Sequence, residues 1–350
     1  MQNYLVISKK SSTFAAHFRN EVIMARSRAV VARQAHNLKV GGSIPPSATK
    51  EKPLTKRLFY FKTRQLTTNT IMKHLFSFFS ISLLLLISSL SCTANDTIRI
   101  LCIGNSFSWD AVEQELAPLC SAGLQPIIIG NLYYGGCSLE QHYNFLNKDT
   151  AAYSFRYIEH GVRTLNEGYS LRQALRLTQW DYISLQQASH DSGIQSSYEP
   201  YLGALIDSVR NYQPTAQLCW MQTWSYAQDA KHPAFPRYQK NQQIMDDSIQ
   251  SATLTLLLRY PELMLIPCGE AIKIARTTKL GDTLCRDGYH LSYLYGRYTA
   301  SCVWYELLTG KDCRCNPYKN ADMTRQQQRL TQQSAHKAIK LATRYSKQKK

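Results

Sequence analysis

The chain has 350 residues, 44% of them hydrophobic, and a net charge of +17, enough length for one or two domains. The basic excess is uneven: residues 1–94 carry 14 Lys/Arg against 2 Asp/Glu, residues 95–320 carry 19 against 21, and residues 321–350 carry 8 against 1. The part able to fold is close to neutral, which excludes a nucleic-acid-binding surface as the meaning of the charge.

Residues 1–71 show no sustained helix or strand period. Val40-Gly41-Gly42-Ser43-Ile44-Pro45-Pro46 can be back-translated as the T-arm of a transfer-RNA gene. The expectation is an upstream segment that is not part of the native protein, with translation starting at Met72 rather than Met1. A disordered basic extension is the alternative. Met72-Lys73-His74, the apolar run Leu75 to Leu90 and the small-residue end Ser91-Cys92-Thr93-Ala94 together read as a signal peptide over 72–94. Its core is too short and serine-rich for a membrane span. The mature chain then begins after Ala94, or at a lipid anchor on Cys92, and is exported to the periplasm, the cell surface or the medium.

From residue 95 to 320 apolar runs alternate with amphipathic segments. Strands are expected at Ile98–Ile103, Pro126–Asn131, Tyr182–Gln187, Gln217–Met221 and Leu263–Ile266. Helices are expected at Trp109–Ala122, Leu139–Asn147, Leu171–Gln179, Ser197–Asn211, Tyr238–Leu258, Gly269–Arg276 and Leu294–Thr309. This alternation predicts a five-stranded, mainly parallel sheet with helices on both faces. Tyr153 to Tyr169 breaks the pattern and reads as an inserted β-hairpin. Residues 321–350 read as a basic, solvated terminal helix. Nine cysteines follow Cys92; export permits disulfides, but spacing does not fix their pairing. Cys102 and Cys219 fall inside strands and read as buried apolar residues. No Cys-x-x-Cys or His-x-x-x-His spacing points to zinc.

Two stretches carry chemistry. The run Ile98-Arg99-Ile100-Leu101-Cys102-Ile103 ends at Gly104-Asn105-Ser106, a strand entering a tight turn that lifts a serine to the C-terminal sheet edge, where α/β folds bind ligands. Far downstream stands Asp287-Gly288-Tyr289-His290. Ser106 as nucleophile, His290 as base and Asp287 as its orienter fill the three roles of a hydrolytic triad. A Gly-x-Ser is also a common helix cap and Asp-Gly a common surface turn; the order of the two motifs across an α/β pattern favours catalysis. Ser106 and His290 are then expected within or near hydrogen-bond reach. Among the other histidines, His142, His160 and His232 offer less, and Asp282 is a weaker rival to Asp287. Trp224 and Tyr226, just past the fourth predicted strand, are candidates for stacking on sugar rings.

Gly104-Asn105-Ser106-Phe107-Ser108 resembles the first block of the SGNH/GDSL hydrolases, with Asn105 where many members carry Asp. Asp287-Gly288-Tyr289-His290 resembles their last block. The resemblance spans roughly residues 98–310 and is nearest to a secreted bacterial branch beginning Gly-Asn-Ser. It implies a three-layer α/β/α sandwich, no metal or cofactor, and esterase or lipase activity, often deacetylation of sugars. It also implies a glycine N–H for the oxyanion, for which Gly136 fits best and Gly135 second, beside the N–H of Ser106. The third donor in the family is an Asn, but Leu185-Gln186-Gln187-Ala188-Ser189-His190-Asp191 contains none. Amide chemistry selects Gln187, whereas counting from Asp181 selects His190. The expected substrate is a small-molecule or glycan ester, with no nucleic-acid partner. A lipase or thioesterase on the same site, or a glycan-binding module on a decayed hydrolase fold, are the alternatives.

Overall fold

The computed structural model describes residues 96–347, so the upstream segment 1–71, the signal peptide 72–94 and the Cys92 anchor lie outside the described residues. The first strand, β1 (Ile98–Gly104), is central: Ile100, Leu101, Cys102 and Ile103 are all buried, as a parallel strand covered on both faces requires. It pairs in parallel with β2 (Ile127–Tyr133) on one side and with β5 (Tyr182–Leu185) on the other. Beyond β5 follow β6 (Gln217–Met221) and β7 (Met264–Ile266), also parallel.

The hairpin expected at Tyr153–Tyr169 forms as β3 (Tyr153–Glu159) and β4 (Val162–Tyr169), and it joins the main sheet. β3 pairs antiparallel with β2, giving seven strands in the order β4-β3-β2-β1-β5-β6-β7 instead of the expected five. The edge of β2 would otherwise expose unpaired backbone groups, and Phe155 and Ile158 of β3 add buried apolar side chains to the two layers.

Helices cover both faces. Ile100 and Cys102 face one layer with α1 (Ser106–Val112), α2 (Leu116–Ala122), α7 (Cys268–Arg276), α8 (Gly296–Thr309) and α9 (Arg325–Lys347). Leu101 and Ile103 face the other, with α3 (Leu139–Asn147), α4 (Leu171–Arg176) and α5 (Tyr201–Tyr212). α6 (Gln242–Arg259) contributes Met245 and Ile249 to the first cluster and Leu256 to the second. The fold is a three-layer α/β/α sandwich.

Two expectations change. The single helix expected at Trp109–Ala122 is broken between α1 and α2, because the acidic side chains there turn inward. Glu113 binds Asn131 Nδ2 at 2.6 Å, while Arg163 takes its main-chain carbonyl at 2.6 Å. Glu115 accepts from Tyr318 and Asn320 at 2.8 and 2.9 Å. The C-terminal helix α9 is docked rather than solvated: Ala335, Ala338 and Ile339 are buried against the first layer, and His336 Nδ1 meets Glu306 of α8 at 2.7 Å. The nine described cysteines are free thiols.

His142 lies fully buried on α3, its Nδ1 at 2.8 Å from the Tyr153 hydroxyl. Burial drives its pKa down to about 3. In the unfolded chain the imidazole takes up a proton near its ordinary value; in the folded chain it does so only near the depressed one. Its contribution to stability is therefore complete above about pH 6.5 and declines as the pH falls toward about 3. At about 1.4 kcal/mol per pH unit the loss is on the order of 5 kcal/mol. Urea unfolding at neutral and acid pH should show a smaller pH difference in His142→Gln than in the wild type. Equal differences in the two proteins would refute this account.

Candidate active site

The turn after β1 is built around Asn105. Its carbonyl oxygen Oδ1 accepts from the Phe107 N–H at 3.0 Å, capping α1, and from Gln186 Nε2 at 2.9 Å. Its Nδ2 donates to the Cys137 carbonyl at 3.0 Å. One buried amide thus ties the starts of three loops together at the C-terminal edge of the sheet. Gly104 makes this approach possible, since a Cβ there would come within 2.6 Å of Ser108 Oγ and 2.9 Å of Gln186 Oε1. Ser106 follows as the first residue of α1, half-buried, and its main-chain N–H has no main-chain acceptor among the described residues.

The loop that Asn105 holds through Cys137 also contains Gly135 and Gly136. Gly136 is exposed, with φ +66°, a left-handed conformation suited to glycine. Among the described residues its N–H donates to no main-chain carbonyl, whereas the next N–H, of Cys137, closes the turn onto the Tyr134 carbonyl at 3.2 Å. The glycine N–H is therefore available to a ligand.

Asp287 and His290 meet directly. His290 Nδ1 lies 2.6 Å from Asp287 Oδ2, and Asp287 Oδ1 accepts from the His290 N–H at 2.8 Å and the Tyr289 N–H at 3.2 Å. Burial pushes the Asp287 carboxyl up, but the hydrogen bonds from His290 and Tyr289 outweigh it and hold the group below its ordinary value. The carboxylate is thus ionised at neutral pH and fixes the proton of the neutral imidazole on Nδ1, leaving Nε2 as the basic nitrogen. Gly288, at φ +91°, makes the turn, and a Cβ there would strike Ala230 at 2.9 Å.

What fastens this loop to the serine helix was not foreseen. Asp110, one turn beyond Ser106 on α1, is fully buried. It accepts from the Leu291 N–H at 2.7 Å, from Arg286 Nη1 at 3.0 Å and from Arg297 Nε at 2.9 Å. The residues flanking Asp287 and His290 are therefore clamped to the helix that Ser106 opens. The i, i+4 spacing of Ser106 and Asp110 and the Arg beside Asp287 were visible signals, although the sequence did not pair them. Phe107, next to Ser106, meets the His290 ring edge-on at 6.1 Å between centroids. The Ser106 hydroxyl makes no hydrogen bond to that imidazole in this structure.

Three of the sequence-derived assignments are corrected. Gln187 is buried and used up: its Oε1 accepts from the N–H groups of Leu139 and Ala188, and its Nε2 donates to Ser197 O and Oγ at 3.0 and 2.9 Å. A strand-end amide with four backbone and hydroxyl partners braces loops and has no proton to offer an oxyanion. Trp224 is buried, stacked flat on Phe107 at 4.2 Å, with its Nε1 donating to the Tyr289 carbonyl at 2.8 Å. Tyr226 is buried too, its hydroxyl 3.0 Å from Ser189 Oγ. Both rings hold up the His290 loop from below, so neither presents a face to a sugar. Gln187→Ala should cost stability of about 1–3 kcal/mol, by stranding buried donors, and should reduce activity only as far as the fold loosens. A rate loss on the order of 10²–10³ with unchanged unfolding would instead reinstate it as an oxyanion donor.

His190, the counting-based alternative, is partly exposed, with Nε2 at 3.4 Å from Asp191 Oδ2. Its ring faces that of His232 at 6.4 Å.

Residues 99–338 match the family described as Domain of unknown function (DUF4886). The chain belongs to this family. A crystallised DUF4886 family protein from Bacteroides uniformis ATCC 8492 shares 42% identity at a TM-score of 0.69, covering 70% of this chain and 95% of that one. Weaker likeness extends to a candidate SGNH hydrolase from Slackia heliotrinireducens, at 19% identity and a TM-score of 0.42, over 60% of this chain and 98% of that one. It also extends to a carbohydrate esterase family 3 protein from Talaromyces cellulolyticus, at 11% identity and 0.39, over 61% and 97%. The comparison with curated proteins gave no match.

Proposed function

We propose that this DUF4886 chain is an exported serine esterase of the SGNH type that removes acyl groups, acetyl foremost, from a carbohydrate. The observation that carries the reading is the Asp287–His290 pair at 2.6 Å, fastened through Asp110 to the helix opened by Ser106. In this reading Ser106 Oγ attacks the ester carbonyl while His290 Nε2 takes its proton. The imidazolium then protonates the departing alcohol, leaving an acyl-serine. Water, deprotonated by the same imidazole, attacks the acyl carbon; the acyl–Oγ bond breaks, the imidazolium returns the proton to Ser106 Oγ and the acid is released. Asp287 keeps its charge throughout and stabilises the imidazolium. The N–H groups of Ser106 and Gly136 face the oxyanion. A serine–histidine hydrogen bond that tightens only around a reacting group is common in such sites. Export rests on the composition of residues 72–94.

The occupied amide of Gln187 favours a second reading, a glycan-binding module that retains the fold. The two separate in one assay of the purified full chain on p-nitrophenyl acetate, a longer p-nitrophenyl ester and an acetylated glycan. Turnover of the acetyl substrates supports the esterase, and preference for the long chain points to a lipase. Binding of the glycan with no hydrolysis of any ester overturns the catalytic reading.

A further inference from the structure

The loops after β5 and β6 carry a cluster that the triad does not use. His190 follows β5 and His232 follows β6, so both stand at the C-terminal ends of neighbouring parallel strands, the edge where α/β sheets take ligands. His232 is held from three sides: its ring centroid lies 4.6 Å from Tyr226, 4.8 Å from Tyr289 and 6.4 Å from His190. Tyr289 in turn lies 4.2 Å from the ring of His290, so His232 neighbours the proposed base through one shared aromatic ring, with His190 on its other side.

The chemistry of the cluster is fixed as well as its position. The Ala234 N–H donates to His232 Nδ1 at 3.1 Å, so the neutral ring carries its proton on Nε2, which has no protein partner among the described residues. Burial pushes the His232 imidazole down from its ordinary value, and the neighbouring His190, His290 and Arg237 push the same way, opposed by Asp287. His190 is steadied by Asp191, which Arg237 holds at 2.5 Å. The result is an uncharged, oriented N–H donor beside a second imidazole, one aromatic ring away from the group proposed to hand a proton to the leaving alcohol.

We propose that His232 and His190 form a subsite for hydroxyl groups of the leaving alcohol, making a polyhydroxylated ester the preferred substrate and His232 its specificity-determining residue. This rests on the esterase reading and adds which residues read the alcohol. An alcohol with neighbouring hydroxyls can accept from His232 Nε2 and bond to the free edge of His190. A phenol leaving group without hydroxyls can do neither.

The test compares kcat/KM for an acetylated methyl glucoside and for p-nitrophenyl acetate in the full chain. In His232→Phe, which keeps a ring between Tyr226 and Tyr289, the ratio of the two should fall about tenfold, the worth of one lost hydrogen bond. His232→Gln keeps a donor and should recover part of the ratio. An unchanged ratio, or equal losses on both esters, overturns the proposal. Should His232→Phe fail to fold, His232→Gln and His190→Gln carry the comparison. Calorimetric binding of the acetylated glucoside to Ser106→Ala provides a readout without turnover, and adding His232→Phe should weaken it about tenfold; equal affinity is again fatal. If the wild type hydrolyses no ester yet the glucoside binds in a His232-dependent way, the esterase reading fails and the subsite stands.

Discussion

On the proposed esterase reading, Ser106→Ala should reduce ester hydrolysis to the background rate, a loss on the order of 10⁶ in kcat when nucleophile and base act as one unit. No acyl-enzyme can form without the hydroxyl, and neither His290 nor the free N–H groups of Ser106 and Gly136 can replace it. Stability should move by no more than about 0.5 kcal/mol, because the change deletes one atom at a half-buried position. Steady-state rates on p-nitrophenyl acetate together with urea unfolding check both halves. A variant retaining a tenth or so of the wild-type rate would place the nucleophile elsewhere.

Asp110→Ala has the largest expected effect on the fold. Arg297 is 1% exposed and Asp110 fully buried, their closest approach being 2.6 Å. Removing the carboxylate strands that guanidinium and two of the three side-chain hydrogen bonds of Arg286, at a cost of about 3–5 kcal/mol. It also releases Leu291 and with it the loop carrying His290, so kcat should fall more than stability alone explains. Denaturant titration and kcat at a temperature where the variant remains folded separate the two effects. A double variant, Asp110→Leu with Arg297→Met, removes both fully buried charges, leaves only the partly exposed Arg286 without its carboxylate, and should regain part of the stability while activity stays low. Recovery of full activity in the double variant would show that the clamp does not position the site.

Much of this protein was legible because its strongest signals are local. The apolar run Ile98–Ile103 ending at Gly104 and the alternation of strand and helix depend on period and on residues a few positions apart. They suffice for a parallel sheet with helices on both faces. The Asp287–His290 pair is equally local, three residues apart in one turn, so chain geometry alone brings the carboxylate to the imidazole. The hairpin was legible as a hairpin, but its docking on β2, which raises the sheet to seven strands, depends on an edge formed by distant segments.

What the sequence by itself determined, then, is the layering, the place of Ser106 at a strand end and that of Asp287 beside His290. Tertiary structure alone decided who is available. Gln187 looked like a donor until Leu139, Ala188 and Ser197 claimed its amide. Trp224 and Tyr226 looked like sugar platforms until Phe107 stacked on the first and His232, Phe235 and Tyr289 packed around the second. Asp110 looked like an ordinary helix acid until Arg286, Arg297 and Leu291 converged on it across about 180 residues of chain. The physical reason is the same in each case. A side chain's chemistry is written in its type, but whether its hydrogen bonds are already spent is settled by partners that only the folded chain brings within 3 Å or so.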